Sequence, residues 1–359
     1  MTLSAPVSTV IATPAAADAA HVHPYRLGSN ENPLGTSPKA QAAIAHAAAG
    51  LWQYPPRTDE SFRQVVGVHH GLDKDNVAIA NSGCDALWLV AQAVLDEDSQ
   101  AIICPPTFPV YALTVQKRGA EIVNVPLDAD TFALDVEGIL AAVTAKTKVV
   151  YLCNPNNPTG TYFAADALTR LLEQLPKHIW VIYDEVYYHF VAEATRIDVN
   201  SKLDAYPNLV VVHSFSKAYG LAGLRLGYAL ANPDTAARLR AHNLPFHVNT
   251  LALLAGEAAL ADQQHIAATV ANNQREKPRL EQSLHALDLR TWESHANFVL
   301  FACPARWNAE TLAAQMLERG IIVRPAFDLP QHLRVSVGLP ELNQAFVTAL
   351  GEVLGKVLG

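Results

Sequence analysis

The sequence reads Val212-His-Ser-Phe-Ser-Lys-Ala-Tyr-Gly-Leu-Ala-Gly-Leu-Arg-Leu-Gly227 at the end of an apolar run. Lys217 stands here among hydroxyls, small residues and leucines, which indicates a crowded, partly dry site. A lysine in such a site loses its proton at modest cost and becomes a nucleophile toward carbonyls. Ser214, Ser216 and Arg225 are candidate partners of a phosphate. The lysine and these three residues together favour a Schiff-base lysine beside a phosphate site, and pyridoxal phosphate requires both.

Two other interpretations of this stretch stay open at this point. The pattern Ser214-x-x-Lys217 also occurs in serine acyl-transferases, where the serine attacks and the lysine is the base. Those enzymes carry Ser-Asp-Asn and Lys-Thr-Gly strings, and neither string is present in this chain. The other interpretation is a solvated lysine at a strand-to-helix turn.

Composition limits the class of protein. The chain has 359 residues, of which 50% are hydrophobic and 17% charged, so a sizeable core is expected. A net charge of −8 argues against a nucleic-acid partner. No stretch of about eighteen uninterrupted apolar residues predicts a membrane span. The four cysteines are widely scattered, which argues against a metal site or a disulfide framework and fits a reducing cytoplasm.

Short apolar runs between residues 77 and 231 predict the central sheet. Several are rich in Val and Ile without polar alternation, as strands buried on both faces should be. Amphipathic segments between most of them predict crossover helices, and hence an α/β fold with a mainly parallel sheet and helices on both faces. The predicted strands are Val77–Ala80, Ala101–Cys104, Ile122–Val125, Val149–Cys153, Ile179–Tyr183, Leu209–Val212 and Leu226–Ala231.

The pattern changes after Pro245. A long helical stretch from Leu251 to Leu287, three short strands and a closing helix from Glu341 predict a smaller α+β unit. We therefore expect three parts in the chain. These are a flexible N-terminal arm over residues 1–23, a small α+β domain formed by 24–45 and 246–359, and a large domain over 46–245.

Ligands bind at the carboxyl ends of parallel strands, so the residues after each run are candidates for chemistry. Asp184 could pair with a protonated pyridine nitrogen, although an N-capping aspartate is the alternative. The loop from Asn154 to Gly160 has two prolines and could hold the Asn157 amide toward a ligand, or form an ordinary turn. Phe108 could lie against an aromatic cofactor or belong to the core.

The turn after the first predicted strand reads Asn81-Ser-Gly-Cys-Asp-Ala86. Gly83 permits close approach of the backbone, and the first amides of the following helix would point at an anion. Asp85 is electrostatically odd beside a phosphate, and it could instead cap the helix or orient a group beside the ring.

These elements resemble fold-type I pyridoxal-phosphate aminotransferases, most of all the branch that contains histidinol-phosphate aminotransferase. The matching strings occur in the family's order and cover nearly the whole chain from residue 25. They are Ser29-Asn-Glu-Asn-Pro-Leu-Gly35, Tyr54-Pro55, Asn154 to Gly160, Asp184-Glu-Val-Tyr187, Ser214-Phe-Ser-Lys217 with Arg225, and Leu333-Arg-Val-Ser-Val-Gly338.

The resemblance implies a role for each matching residue. Lys217 would form the Schiff base and shuttle the proton, with Asp184 on the pyridine nitrogen. Asn157 and Tyr187 would bond the ring hydroxyl, and Phe108 would stack on the ring. The phosphate would be held by Gly83, Cys84, Asp85, Ser214, Ser216, Arg225 and, from the other subunit of a homodimer with shared active sites, Tyr54. Arg334 would clamp the substrate carboxylate, and Asn32 would lie on the substrate side. Arg324 could bind a substrate phosphate or carboxylate, or face solvent.

The implied activity is transfer of an amino group between an amino acid and a 2-oxo acid. Histidinol phosphate, an aromatic amino acid or a related amino acid is the expected donor. The chain lacks the Tyr-x-Pro-Gly-Lys-like string of that branch, and its loop between Arg324 and Arg334 is short, so the substrate stays open. A decarboxylase on the same fold is the alternative, and a ligand-sensing module of a transcription regulator is a third hypothesis.

Overall fold

The computed structural model describes residues 25–356, so the predicted N-terminal arm lies outside the described residues. Its strands are β1 (Tyr25–Arg26), β2 (Val77–Ala80), β3 (Gln100–Ile103), β4 (Glu121–Asn124), β5 (Thr147–Cys153), β6 (Trp180–Asp184), β7 (Leu209–Ser214), β8 (Gly227–Ala231), β9 (Phe298–Ala302), β10 (Ile321–Ile322), β11 (Arg324–Ala326) and β12 (Leu329–Ser336).

Helices connect these strands on both sides of the sheet, with short 3₁₀ turns between some of them. The α-helices are α1 (Pro38–Ala47), α2 (Glu60–His70), α3 (Gly83–Val94), α4 (Val110–Lys117), α5 (Val136–Ala141), α6 (Ala165–Gln174), α7 (Pro233–Arg240), α8 (Thr250–Leu260), α9 (Gln263–Ala286), α10 (Ala309–Glu318) and α11 (Pro340–Leu354).

The seven predicted strands form one sheet in the order β2-β8-β7-β6-β5-β3-β4. The pairs from β7 through β6, β5 and β3 to β4 are parallel, whereas β8 runs antiparallel to β2 and β7. Apolar side chains cover both faces, with Tyr111 of α4 on one side and Leu168 of α6 on the other. The predicted α/β class with a mainly parallel sheet is confirmed.

The carboxyl ends of the central strands lie side by side. In the register of β5 with β6, Cys153 is opposite Asp184, and in that of β6 with β7, Asp184 is opposite Val212. The segments that follow these strands therefore emerge at the same edge, and they carry Asn157, Asp184 and Lys217 to one place.

A second core lies in the carboxyl-terminal part of the chain. It joins Leu27 with apolar residues of β9, β12, α10 and α11. The predicted domain limits stay a prediction. However, Ala40 of α1 and Ala252 of α8, both assigned to the small domain from the sequence, are buried in the same cluster as Val77 of the large sheet.

Two local features differ from the sequence-based expectation. The helical stretch predicted from Leu251 to Leu287 is two helices, α8 and α9, separated at Ala261–Asp262. The Asp262 carboxylate accepts a 2.6 Å hydrogen bond from the Ser37 hydroxyl, so a distant tertiary contact holds the break. The short strand β11 contains Pro325, and proline made a strand there hard to predict.

Candidate active site

A cavity of about 230 Å³ lies at the carboxyl edge of the large sheet. This is the edge at which open parallel sheets bind ligands. Its walls contain most of the residues that the sequence predicted for the site. Those residues are Gly83, Cys84, Phe108, Asn157, Asp184, Tyr187, Ser214, Ser216, Lys217, Arg225, Arg324 and Arg334.

Lys217 provides the amine of the cavity. It follows β7 by three residues, and its Nζ donates a 3.0 Å hydrogen bond to the main-chain oxygen of Ser29. Desolvation in the cavity, with a smaller contribution from the charge of Arg334, lowers the pKa of Lys217 to about 8. The neutral, nucleophilic form of this amine is therefore accessible close to neutral pH.

Asp184 provides a buried carboxylate at the end of β6, with 3% of its surface exposed. Its Oδ2 accepts a 2.7 Å hydrogen bond from the Tyr111 hydroxyl, and its Oδ1 accepts one of 3.3 Å from the Val186 amide. Burial raises the pKa of Asp184 to about 6, while these two hydrogen bonds oppose the rise. The group therefore suits a cationic partner in the cavity.

A planar cation lies on the opposite wall. The buried Arg334 guanidinium donates to the Asn157 side-chain oxygen and, over 2.7 Å, to the main-chain oxygen of Gly28. Its central carbon is 5.2 Å from the centre of the Phe298 ring, and its Nε has no hydrogen-bond partner in the part of the chain that the structure describes. Burial lowers the pKa of Arg334 to about 10, so it stays charged at neutral pH.

The far end of the cavity combines groups that suit a phosphate. The Ser214 hydroxyl accepts a 3.1 Å hydrogen bond from the Ser216 amide and donates to the Ser216 hydroxyl at 3.0 Å. Arg225 has a left-handed backbone, with φ of 57°. A Cβ at Gly227 would overlap the backbone of Gly83, so glycine lets β8 approach the start of α3.

Three predicted site residues do not line the cavity. The amide of Asn32 donates to the Ala218 main-chain oxygen and to Thr269, and its contact with substrate stays a prediction. The Asp85 carboxylate accepts from the Asn81 amide and closes the turn before α3. Tyr54 is 84% exposed, with its ring 5.2 Å from that of Phe246.

The structure also brings residues to the cavity that sequence reasoning missed. Asn30 is buried, lines the cavity and donates a 2.9 Å hydrogen bond to the Tyr187 hydroxyl. Phe327, at the turn between β11 and β12, lies near both Arg324 and Arg334. Asn30 belongs to a string quoted for the family resemblance, so that signal was present, whereas nothing in the sequence distinguished Phe327.

Comparison with known proteins identifies the class. The sequence profile of the aminotransferase class I and II family matches residues 23–350, and the chain belongs to this family. The predicted family and the predicted enzyme class, a transaminase, are confirmed.

Individual relatives point to one branch. Histidinol-phosphate aminotransferase 2 of Pasteurella multocida is 39% identical, over 92% of this chain and 90% of that protein. Histidinol-phosphate aminotransferase of Sinorhizobium meliloti, solved with pyridoxal-5'-phosphate, has a TM-score of 0.85 and 28% identity, over 92% of this chain and 90% of that one. L-Threonine-O-3-phosphate decarboxylase of Porphyromonas gingivalis has a TM-score of 0.81 and 25% identity, over 92% and 99% of the two chains.

Two kinds of feature do not occur in the part of the chain that the structure describes. No helix within residues 25–356 combines the length and the apolar character that a membrane span needs. Within the same range, no group of three or more histidine, cysteine, aspartate or glutamate side chains is arranged to hold a metal ion.

The lowered pKa of Lys217 predicts a pH-dependent stability of the cofactor-free protein. Between its folded pKa of about 8 and the ordinary value, the unfolded chain binds more protons, so stability rises with pH. The free energy of unfolding of the wild type minus that of Lys217→Met should therefore increase by up to about 1.4 kcal/mol per pH unit in this window. Urea denaturation at pH 7.5 and 9.5 measures the difference.

The exposed Lys146 provides the control, because Lys146→Met should track the wild type at both pH values. A stability difference between the wild type and Lys217→Met that is the same at both pH values would contradict the perturbed amine.

Proposed function

We propose that the cavity holds the pyridoxal 5'-phosphate of this aminotransferase and that the amino donor is histidinol phosphate or a related amino acid. One observation carries this proposal. A lysine whose pKa is lowered to about 8 lines the same cavity as a buried carboxylate and a group of phosphate-binding donors.

The donors and charges around the cavity fit each part of this cofactor. Ser214, Ser216, Arg225 and the start of α3 supply hydroxyls, a positive charge and backbone amides for its phosphate. Asp184 supplies the negative charge for its ring nitrogen. We assign the ring hydroxyl to Asn157 and Tyr187, and the face of the ring to Phe108, which all line the cavity.

When bound, the cofactor supplies an aldehyde for covalent attachment and an electron-withdrawing ring. The chain supplies the remaining functions. The neutral amine of Lys217 is the nucleophile, and once free it is the base that takes the proton from the substrate Cα. Arg334 binds the substrate carboxylate in two-pronged fashion, which fixes the Cα–H bond that the base can reach.

Two features support a donor with an anionic or aromatic side chain. Arg324 lines the cavity at its outer side, and Phe327 lies next to it, with 5.8 Å between the guanidinium carbon and the ring centre. A cation beside an aromatic ring can receive a phosphate or a second carboxylate together with a planar group. The relatives named for histidinol phosphate favour that molecule as the donor.

The second candidate is decarboxylation of a phosphorylated amino acid. The chain is similar to L-threonine-O-3-phosphate decarboxylase at a TM-score of 0.81 and 25% identity, which makes this reaction the alternative on the same fold. The two reactions differ in which Cα bond breaks, and therefore in their products.

The test is a donor panel with 2-oxoglutarate as the acceptor. Histidinol phosphate should yield glutamate without CO₂, and at higher kcat/KM than phenylalanine, tyrosine or O-phosphothreonine. Arg334→Gln should lower kcat/KM for every donor by about 10- to 100-fold, because a hydrogen bond to a charged group contributes about 1.5–3 kcal/mol.

The exposed arginine Arg306 serves as the matched control, since Arg306→Gln should leave kcat/KM and the visible absorbance of the bound cofactor unchanged. Release of CO₂ without formation of glutamate would favour the decarboxylase. If Arg334→Gln lost the cofactor instead, Arg334 would have to be assigned to cofactor binding and not to the substrate carboxylate.

We also propose a homodimer in which Tyr54 reaches the cavity of the partner. Tyr54 and Trp52 are 84% and 82% exposed, and Leu244 is 75% exposed. Exposed apolar side chains of this size in neighbouring segments indicate an interface. A cytoplasmic location accords with the four cysteines, which are all free thiols.

Trp52→Glu should convert the dimer to a monomer, because a charge would be buried without a partner at the interface. Sedimentation equilibrium measures the mass, with Leu317→Glu as the control, since Leu317 is 56% exposed on α10. A wild-type protein that sediments as a monomer, or a Trp52→Glu variant that stays dimeric, would contradict this interface.

A further inference from the structure

Tyr111 is a buried residue beside the cavity to which neither the sequence nor the family comparison assigned a role. It lies in the first turn of α4 and has no exposed surface. Its hydroxyl donates a 2.7 Å hydrogen bond to Oδ2 of Asp184. It is therefore the only side chain among residues 25–356 that donates a hydrogen bond to this carboxylate.

Neighbouring aromatic rings fix the direction of this hydroxyl. The ring of Tyr111 stacks on that of Tyr151, with 5.0 Å between centres and 17° between planes. On another side, the Phe108 ring lies edge-on at 5.8 Å. Phe108, the residue predicted to stack on the cofactor ring, also lines the cavity. Tyr111 therefore contacts both Phe108 and Asp184, the predicted partner of the ring nitrogen.

The hydrogen bond from Tyr111 favours the charged form of Asp184. Burial raises the pKa of Asp184, and the Tyr111 hydrogen bond is the strongest influence that opposes the rise. The other titratable groups around Asp184 are Cys84, Cys153, Tyr187, Glu185 and Lys217. Of these, only the positive charge of Lys217 favours a charged carboxylate.

We propose that Tyr111 is a positioning residue that orients Asp184 and keeps its carboxylate charged, so that the proton stays on the ring nitrogen of the bound cofactor. This inference rests on the proposed function. A carboxylate that already accepts a hydrogen bond has a lower proton affinity than a free one. The Tyr111 hydroxyl therefore maintains the positive charge of the ring, and that charge in turn lowers the pKa of the Lys217 Schiff base.

The test compares Tyr111→Phe with Tyr151→Phe. Both changes remove one hydroxyl from a buried ring of the same stack, but among residues 25–356 the Tyr151 hydroxyl has no hydrogen-bond partner, whereas that of Tyr111 donates to Asp184. Titration of the visible absorbance gives the pKa of the Lys217 Schiff base. Tyr111→Phe should raise that pKa by about one pH unit, a tenfold change in proton affinity, and Tyr151→Phe should leave it unchanged.

A second measurement separates positioning from a general loss of structure. Cofactor-free Tyr111→Phe should bind pyridoxal 5'-phosphate about tenfold more weakly than the wild type. It should bind the deaza analogue, in which carbon replaces the ring nitrogen, as well as the wild type does. A merely structural defect would weaken both ligands equally.

If Tyr111→Phe does not fold, 3-fluorotyrosine at position 111 keeps the ring and makes the hydroxyl a stronger donor, so the Schiff-base pKa should fall. An unchanged Schiff-base pKa in either Tyr111 variant, or equal weakening for both ligands, overturns the inference. A wild-type protein without visible absorbance after addition of the cofactor would instead overturn the proposed function.

Discussion

One constraint governs the site: three ionisable side chains are buried around one cavity without an oppositely charged partner in a salt bridge among the described residues. Lys217, Asp184 and Arg334 line it, and none of them forms a salt bridge within residues 25–356. Buried charges without partners are costly. A ligand that carries an aldehyde, an anionic tail and a cationic nitrogen, followed by a substrate with a carboxylate, would supply the missing partners.

The sheet makes this arrangement possible. Parallel strands β5, β6 and β7 are buried on both faces, so their carboxyl ends stay in register and present Asn157, Asp184 and Lys217 at one edge. The carboxyl-terminal part adds Arg334 from β12, which pairs with β9. Asp184 and Arg334 lie on strands, while Asn157 and Lys217 lie in the segments that follow strands, so the two sheets position the site before a ligand binds.

Much of this could be predicted from the sequence because the governing signals are local. Uninterrupted apolar runs mark buried strands, and the polar residue after each run, such as Asp184 or Lys217, has to lie at the ligand-binding edge. The remaining features depend on tertiary contacts. The hydrogen bond between Tyr111 and Asp184 joins residues 73 positions apart in the sequence, and that between Asn30 and Tyr187 joins residues 157 positions apart. No local sequence pattern predicts contacts over such separations. The antiparallel direction of β8 likewise depends on its pairing with β2 and β7.

The most direct test of the central claim is to identify the lysine that bonds to the cofactor. The purified protein is incubated with pyridoxal 5'-phosphate, reduced with borohydride, digested and analysed by mass spectrometry. A pyridoxyl group found only on the peptide that contains Lys217 is the expected result. Modification of another lysine, such as Lys277, with Lys217 left free would contradict the account.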